Sequence, residues 1–340
     1  MTISEFKEKF FTLVEESERI VITSHMSPDD DSIGSVLIML AVLKERYPTK
    51  DIRIMYSNSP LDRWRSLDNF EKIEWKDDIA NHVTEEDLIV MLDASRHYLC
   101  TKLPEQLSAL PHRVAIDHHV SQADEFELIF QDSQYSSNVE LLYRIFLEDK
   151  DLSKYVAEYL LLGVLGDTGN FRHVKPGQED VFDLAKKLLP TVGVSIDEFK
   201  SRFGGIPRKI IPLMQELTKN ITYETVEGWP QVQYSYINRA SIKSFTEDEI
   251  SAASHLYIGQ YLTQVEGCPW GFVITPRHDG TCRISGRSLP KSVNIRDMFE
   301  RLGIGGGHDR ASGGKFNESD PQKCVAKVLE WMHSNKPTLG

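Results

Sequence analysis

Residues 19–40 read RIVITSHMSPDDDSIGSVLIML, and this stretch decides the fold. It opens with a β-branched run at residues 19–24, and apolar residues recur at helical spacing from 35 to 47. A short strand that leads directly into a helix is the beginning of a βαβ unit. Between the strand and the helix lie His25 and the three acids at 29–31, so polar side chains gather where the strand ends.

Three further apolar runs predict strands at residues 51–56, 88–92 and 113–116. Each run is nearly continuous in apolar residues, which is typical of parallel strands covered by helices on both faces. Residues 155–165 are apolar all round and predict a helix that is buried in the core. Together these features predict an α/β fold with a doubly wound, mainly parallel sheet.

Glycine and proline punctuate the chain between residues 191 and 220, as in a hinge or an interdomain connector. We therefore expect a first domain over residues 1–190, a helical connector over 191–220 and a smaller α/β domain over 221–340. The two domains should form a bilobal molecule with a cleft. The second domain is predicted to contain strands at 223–237, 271–276 and 281–285 and helices at 248–263 and 321–333.

The composition limits the kinds of partner that this chain can have. It has 340 residues, 40% of them hydrophobic, and a formal net charge of −12. Because it contains neither a transmembrane-length apolar run nor an export signal, we expect a cytoplasmic protein with no membrane partner. The four cysteines show no CxxC pairing, which gives no support for a thiolate zinc site or a disulfide framework. The acidic balance argues against long duplex nucleic acid as a partner, and the sequence leaves a homodimer open.

Acidic and histidine side chains follow the ends of four apolar segments. Two carboxylates about 4 Å apart repel by roughly 4 kcal/mol at an effective dielectric of about 20, so a cluster of them needs cations between its members. We therefore predict a site for two divalent metal ions. Carboxylate and imidazole donors without thiolate favour manganese, with magnesium, cobalt or iron as alternatives and zinc less natural. The four segments are His25 to Asp31, Asp93, Asp117-His118-His119 and Asp167.

Simpler structural explanations exist for several of these positions. The acids at 29–31 could merely cap the following helix, and Asp93 could be a turn residue after its strand. Asp167 is different, because an acid at the C-terminal end of a helix opposes the helix dipole unless a positive group faces it. The triplet Arg63-Trp64-Arg65 could stack a base, although we favour an exposed loop that is anchored by the tryptophan.

A second group of polar residues, in the C-terminal third of the chain, indicates binding of an anion. The glycine run before His308 is either a flexible turn or a phosphate-binding loop, and the polar residues upstream of it favour the loop. Backbone N–H groups and the guanidinium of Arg287 would then grip a terminal phosphate. The predicted binding residues are Ser285, Arg287, Ser288, Gly305, Gly306, Gly307, His308 and Lys315.

Between residues 19 and 318 the chain carries, in order, the motifs VITSHMSPDDDSIGS, IVMLDAS, VAIDHHVS, GDTGNF, ISGRS and GIGGGHDRASGG. This series resembles the DHH phosphoesterase superfamily with its DHH-associated C-terminal domain, which includes nano-RNases, pAp phosphatases and cyclic-dinucleotide phosphodiesterases. The resemblance implies a metal-binding catalytic domain followed by a substrate-binding domain. The chain departs from the usual pattern at Gln122, Ser312 and Asp30, none of which is an implied metal ligand.

The resemblance also implies individual roles in the first domain. His119 would lie beside the scissile phosphate, and Asp117 would orient the neighbouring histidines. Catalysis would therefore rest on His119, Asp117 and Asp93, the last of these bridging the two metals. The implied ligands are His25, Asp29 and Asp93 for one manganese ion, and Asp31, Asp93, His118 and Asp167 for the other.

Two divalent ions side by side are suited to in-line hydrolysis of a phosphate ester. We predict a two-metal phosphodiesterase that cuts short 5′-phosphorylated linear oligonucleotides and dinucleotides, such as pApA and pGpG, to mononucleotides. The resemblance leaves cyclic di-AMP and pAp open as alternative substrates. Alternatives from other classes are a nucleotide-binding sensor without turnover and a structural or assembly role.

Overall fold

The computed structural model describes residues 1–58, 62–120, 122–203 and 205–340. By its internal contacts the chain divides into two compact units, Met1–Gly204 and Gly205–Gly340. The division falls within 191–220, the range predicted as a connector, of which residue 204 lies outside the described residues.

The first unit is built on a six-stranded sheet in which every neighbouring pair of strands is parallel. Its strands are β1 (Arg19–Thr23), β2 (Asp51–Ser57), β3 (Ile73–Lys76), β4 (Asp87–Leu92), β5 (Arg113–Asp117) and β6 (Leu128–Gln131). The order across the sheet is β3-β2-β1-β4-β5-β6, so the direction of winding reverses between β1 and β4. This confirms the predicted doubly wound α/β fold, and a reversal of this kind opens a crevice at the carboxyl ends of the strands.

Four of these strands were predicted from their apolar runs, and two were not. The additional strands β3 and β6 lie at the two edges of the sheet and are four residues long. In each of them only the first residue is fully buried, so the sequence lacks the continuous apolar run of a central strand. Short edge strands are therefore hard to recognise by pattern.

Helices cover both faces of this sheet. They are α1 (Ile3–Glu16), α2 (Asp30–Arg46), α3 (His97–Cys100), α4 (Pro104–Ser108), α5 (Asn138–Leu142), α6 (Lys154–Asp167), α7 (Asp180–Val192) and α8 (Ile196–Ser201). A π-helical turn, Tyr143–Leu147, continues α5. Helices α2 and α6 are in close contact at Gly34, where an added Cβ would lie 2.7 Å from the carbonyl oxygen of Tyr159. Further along α6, a Cβ on Gly163 would lie 2.6 Å from Asp31 Oδ1 and one on Gly166 would lie 2.6 Å from Asp30 Cβ, so the N-terminal end of α2 packs against the C-terminal part of α6.

The second unit contains a six-stranded mixed sheet and four helices. Its helices are α9 (Ile211–Lys219), α10 (Glu247–Gln260), α11 (Ile295–Arg301) and α12 (Pro321–Ser334). Its strands are β7 (Thr222–Glu224), β8 (Val232–Tyr236), β9 (Trp270–Pro276), β10 (Cys282–Ser288), β11 (Gly305–His308) and β12 (Ala311–Phe316). The order is β11-β12-β10-β9-β8-β7, and within this second sheet, as described, only β8 and β9 pair in parallel.

Two expectations for the second unit were wrong in detail. The strand predicted over 223–237 is a hairpin of β7 and β8, because Gly228 takes a positive φ of 81° that turns the chain back. The glycine run that was predicted as a loop forms strand β11, paired with β12. A Cβ on Gly305 would lie 2.2 Å from the carbonyl oxygen of Gly313, so the glycines allow two backbones to approach closely.

Short 3-10 turns connect several of these elements, at Asp62–Trp64, Phe70–Lys72, Ile79–Asn81, Arg208–Ile210 and Arg239–Ser244. Within the described ranges, no helix has both the length and the apolar character needed to cross a bilayer.

Candidate metal centre

The carboxyl edge of the first sheet gathers polar side chains from several strands. His25 follows β1, Asp93 follows β4 directly, and His118 follows β5. Because β1, β4 and β5 are neighbours and parallel, these three residues emerge side by side. Asp167 joins them as the last residue of α6.

The acids before and within α2 have separate surroundings. Asp29 is the N-cap of the helix and accepts the Ser32 backbone N–H through Oδ1 at 2.9 Å, so the capping role considered from the sequence is real. Its other oxygen, Oδ2, lies 3.6 Å from His25 Nε2. Asp31 is completely buried and accepts the backbone N–H groups of the first two residues of α5, at 2.6 and 3.0 Å.

The six predicted metal ligands lie in two adjoining groups. In each group the candidate donor atoms are within 4.8 Å of one another, as they would be around a single ion. Asp93 connects the groups, because its Oδ2 lies 3.3 Å from His25 Nε2 and its Oδ1 lies 3.4 Å from His118 Nε2. The groups are His25, Asp29 and Asp93, and Asp31, His118 and Asp167.

The candidate ligand atoms are better suited to binding a metal ion than to hydrogen bonding with one another. Asp93 Oδ1 and His118 Nε2 are both buried, and neither has a hydrogen-bond partner among the described residues. A buried polar atom without a partner is unfavourable by about 1–3 kcal/mol, so such atoms in a native structure need an explanation. Carboxylate and imidazole donors without a thiolate are suited to hard or borderline divalent cations.

The pKa shifts in this cluster reflect crowded charge. Partial desolvation and the negative charge of Asp93 raise the pKa of Asp29 to about 6, although its side chain is 54% exposed. Burial followed by the charges of Asp167 and Asp93 raises the pKa of Asp31. Burial alone would lower the pKa of His118, but the carboxylates of Asp167 and Asp93, whose oxygens lie 3.0 and 3.4 Å from its Nε2, outweigh burial and raise the value to about 11. In the metal-free protein, a proton on His118 therefore offsets part of the negative charge of the surrounding carboxylates.

His119 and Asp117 form a pair beside the cluster. Asp117 is buried, and its Oδ1 accepts the His119 backbone N–H at 3.1 Å and faces His119 Nδ1 at 2.9 Å. Gln131 donates to the His119 carbonyl oxygen at 2.9 Å and lies 3.4 Å from the other oxygen of Asp117. The His119 ring is half exposed, and its Nδ1 lies 3.4 Å from Asp93 Oδ1. The pair thus fixes an accessible imidazole at the rim of the candidate metal centre.

Asp30, the extra acid between two ligands, points away from the cluster. Its oxygens accept the indole N–H of Trp64 at 2.8 Å and a guanidinium N–H of Arg63 at 2.7 Å. Trp64 is 2% exposed and Arg63 also donates to the Phe203 carbonyl oxygen at 3.2 Å. The triplet at 63–65 is therefore anchored by its buried tryptophan, as the favoured interpretation expected.

In the second unit, the predicted anion-binding residues divide into separate places. The register of the sheet places His308 opposite Ala311, which in turn lies opposite Arg287, so His308 and Arg287 are two strands apart on one face, about 10 Å. Ser285 shares this face, whereas Ser288 is on the opposite one. Lys315 lies four residues further along β12 than Ala311, about 13 Å away.

Two of these cations have contrasting surroundings. The ammonium of Lys315 pairs with Asp279 at 3.0 Å, so its charge is already compensated. Arg287 Nη1 donates only to the carbonyl oxygen of Gly286 at 2.9 Å among the described residues. Burial, followed by the neighbouring positive charge of Arg283, lowers the pKa of Arg287. The guanidinium of Arg287 is therefore available for an anion, whereas the ammonium of Lys315 already has a partner.

Sequence reasoning missed two residues that support the centre. Asn138 lies at the start of α5 and is fully buried, and Asp124 connects the loop after β4 with the loop after β5. An isolated Asn or Asp in a polar loop resembles any turn residue. No pattern in the sequence distinguishes either of them, because their partners are distant along the chain.

Together, the fold and this site define a doubly wound α/β protein with a candidate metal centre at the carboxyl edge of its parallel sheet. Residues 19–164 match the model of the DHH family, N-terminal domain. This match agrees with the DHH motifs that the sequence carries in the same range.

Two curated relatives and one solved structure are similar to this chain along nearly its whole length. The chain is 26% identical over 319 residues to the bifunctional oligoribonuclease and PAP phosphatase NrnA of Bacillus subtilis, covering 92% of this chain and 94% of that protein. It is 26% identical over 338 residues to the cyclic-di-AMP phosphodiesterase GdpP of Geobacillus thermodenitrificans, covering 94% of this chain but 48% of the relative, so it spans about half of that protein. An exopolyphosphatase-related protein from Bacteroides fragilis has a similar fold, with a TM-score of 0.81, 21% identity and 97% of both chains covered.

Proposed function

We propose that this protein is a two-metal phosphodiesterase that hydrolyses short 5′-phosphorylated linear oligonucleotides and dinucleotides to mononucleotides. The observation that carries the proposal is the pair of ligand groups joined by Asp93. Asp93 Oδ1 and His118 Nε2 are buried without a hydrogen bond among the described residues, although His118 Nε2 lies 3.4 Å from Asp93 Oδ1 and 3.0 Å from Asp167 Oδ2. A single structural ion would not need a carboxylate that faces both groups.

The relatives support a phosphoester substrate of nucleotide size. NrnA, which matches this chain along nearly its whole length, is named as acting on oligoribonucleotides and on PAP. The cyclic-di-AMP phosphodiesterase matches over about half of its length. Linear dinucleotides are therefore our first choice, and pAp and cyclic di-AMP are the alternatives to be tested beside them.

In the proposed reaction the residues of the first unit hold and orient the reacting groups. Two divalent ions, with manganese the best match to the donor set, would activate a water molecule and stabilise charge that develops on the phosphate. His25, Asp29 and Asp93 would hold one ion, and Asp31, Asp93, His118 and Asp167 the other. His119, oriented by Asp117, would contact the scissile phosphate.

We further propose that Arg287, with Ser285 and His308, binds the terminal 5′-phosphate of the substrate. The sparsely partnered guanidinium of Arg287 supports this role, because a phosphate would supply the missing counter-charge. Ser288, Lys315 and the glycines at 305–307 complete the proposed binding set. Of these, Ser288 and Lys315 have the weakest support, since Ser288 is on the opposite face of the sheet from Arg287 and Asp279 already pairs with Lys315.

The first experiment is hydrolysis of a panel containing pApA, pGpG, pAp, cyclic di-AMP and a 24-residue RNA, with and without manganese. We expect manganese-dependent conversion of the dinucleotides to mononucleotides. Asp93→Asn should lower this rate by more than about 100-fold, beyond the range typical for residues that only support a ligand. Asp149→Asn, a change of the same kind at an exposed position, is the matched control. Binding of the dinucleotides without turnover would instead identify a nucleotide sensor.

The role of Arg287 is tested with a pair of substrates. Arg287→Gln should raise KM for pApA far more than KM for the same dinucleotide without its 5′-phosphate, because only the former carries the group that the guanidinium would bind. Arg296→Gln removes a positive charge from an exposed site in the same unit and controls for net charge. Equal effects of Arg287→Gln on both substrates would refute the assignment.

A further inference from the structure

Asn138, the first residue of α5, is fully buried beneath the candidate metal centre. Its backbone N–H donates to Asp31 Oδ2 at 2.6 Å. The orientation of its side-chain amide follows from its neighbours, since one end faces two donors and the other faces a carbonyl. In that orientation its oxygen accepts the backbone N–H of Asp93 at 3.2 Å and the hydroxyl of Ser35 at 3.0 Å, and its nitrogen donates to the Ile116 carbonyl oxygen at 3.0 Å.

Asn138 thus forms hydrogen bonds with two candidate metal ligands, Asp31 and Asp93. Its backbone holds the Asp31 carboxylate, and its side chain holds the backbone of Asp93. The contacts also reach α2 through Ser35 and the end of β5 through Ile116, two residues before His118. Elements that are far apart in the sequence are therefore joined at a single buried amide.

The backbone conformation of Asp93 explains why the hydrogen bonds of Asn138 are needed. Asp93 has a φ of +55°, a left-handed backbone conformation that is unfavourable for residues other than glycine. A residue in this region persists only when its surroundings fix it, and such residues cluster at functional sites. The Asp93 N–H also lies 2.9 Å from the Ile116 carbonyl oxygen, so it is shared between Ile116 and Asn138.

We propose that Asn138 is a positioning residue of the metal centre, which holds Asp93 in its left-handed conformation and sets its place relative to Asp31. This inference rests on the metal centre of the proposed function. The amide suits the position because it both accepts from Asp93 and donates to Ile116, which neither a hydroxyl nor a carboxylate of similar size does at both ends. A neutral group also adds no charge to an already crowded cluster of acids.

Asn138→Leu tests the proposal, because leucine has a similar branched shape and no hydrogen-bonding group, while the backbone contact to Asp31 is kept. Asn138→Ala, which adds no bulk, is measured in parallel. The control is Ser137→Ala, which removes the N-cap of the same helix, where the Ser137 hydroxyl accepts the Glu140 N–H at 3.3 Å. The control weakens α5 without removing a contact to Asp93.

The primary measurement is the affinity of the metal-free full-length protein for Mn²⁺ alone, by calorimetric titration, with the free energy of unfolding of each metal-free variant beside it. We expect both Asn138 variants to bind Mn²⁺ about 10–100-fold more weakly than wild type, the range typical for residues that orient a metal ligand. Ser137→Ala should lose stability but keep its Mn²⁺ affinity within about twofold of wild type. The visible absorption of bound Co²⁺ should also change in the Asn138 variants, since it reports the geometry of the ligands.

Unchanged Mn²⁺ affinity in both Asn138 variants would overturn the proposal, and so would an equal loss of affinity in Ser137→Ala at matched destabilisation. Failure of the metal centre itself has a different signature, because the wild-type protein would then bind neither Mn²⁺ nor Co²⁺.

Discussion

Single positions in the candidate metal centre tolerate little change in size. Gly163, on α6, faces Asp31 and Val139, and a Cβ placed there would lie 2.6 Å from Asp31 Oδ1 and 2.6 Å from a methyl group of Val139. The helix and the carboxylate can therefore adjoin only because this residue has no side chain. Asp29 has two roles, since one carboxylate both caps α2 and contributes to the cluster.

Gly163→Ala should accordingly weaken the centre and the fold together. We expect a loss of about 1–3 kcal/mol in the free energy of unfolding from the overpacked methyl group. Mn²⁺ affinity should fall as well, because Asp31 must move. Chemical denaturation and metal titration of the same preparation measure both effects.

The matched control is Gly259→Ala on α10, where an added Cβ meets no atom of the described residues within 4 Å. That substitution should be neutral or stabilise the protein by up to about 1 kcal/mol, since alanine is the better helix former. If Gly163→Ala had the same free energy of unfolding and the same Mn²⁺ affinity as wild type, the close contact between Gly163 and Asp31 would be contradicted.

At the scale of elements, two loops that carry candidate ligands are fastened to each other. Asp124 Oδ2 accepts the His97 backbone N–H at 2.7 Å and faces His97 Nδ1 at 2.9 Å, and the Asp124 N–H donates to the Ser95 carbonyl oxygen at 2.8 Å. Arg96 adds a hydrogen bond to the Gln122 carbonyl oxygen at 2.6 Å. The segment after β4, which begins with Asp93, is thereby tied to the segment after β5 that carries the two histidines.

Asp124→Ala should loosen both loops. Loss of hydrogen bonds to a charged group predicts a decrease of about 1.5–3 kcal/mol in the free energy of unfolding. Hydrogen exchange should rise in peptides covering 93–101 and 117–126 and stay unchanged in the second unit. Asp149→Ala, at an exposed position between α5 and α6, should leave both regions unchanged. Protection in these peptides equal to wild type would show that the loops are held by other contacts.

At the scale of the whole molecule, the clustered acids make stability depend on protons or metal. An acid whose pKa is raised keeps a proton in the native state that the unfolded chain releases. For Asp29, with a pKa of about 6 against an ordinary value of 3.8, stability of the metal-free protein falls as the pH rises through this interval. For His118, raised to about 11 from 6.5, the contribution is complete below pH 6.5 and is lost as the pH rises through about 11. Both effects weaken the metal-free fold toward alkaline pH.

Metal ions should reverse this trend, because they replace the protons. We expect Mn²⁺ to raise the melting temperature more at about pH 8 than at about pH 6, since binding requires deprotonated carboxylates and neutral imidazole. Differential scanning fluorimetry with and without Mn²⁺ at both pH values measures the difference. Asp93→Asn should show little shift at either pH. A wild-type shift that does not vary with pH would contradict the assignment of these residues as ligands.

The sequence by itself determined the fold class and the composition of the site. Short apolar runs rich in β-branched residues are typical of central strands, and polar residues that directly follow neighbouring parallel strands meet at one edge of the sheet. The grouping of His25, Asp93 and His118 therefore followed from local pattern. Edge strands such as β3, and the glycine-rich strand β11 over 305–308, gave no such pattern.

Only the tertiary structure decided how the ligands are held. The left-handed conformation of Asp93, the amide of Asn138 that meets it and the Asp124 contact between two loops join residues that are tens of positions apart. Local periodicity records which face of an element is buried, but it does not record which distant polar group will be opposite a given side chain. That information exists only once the chain has packed.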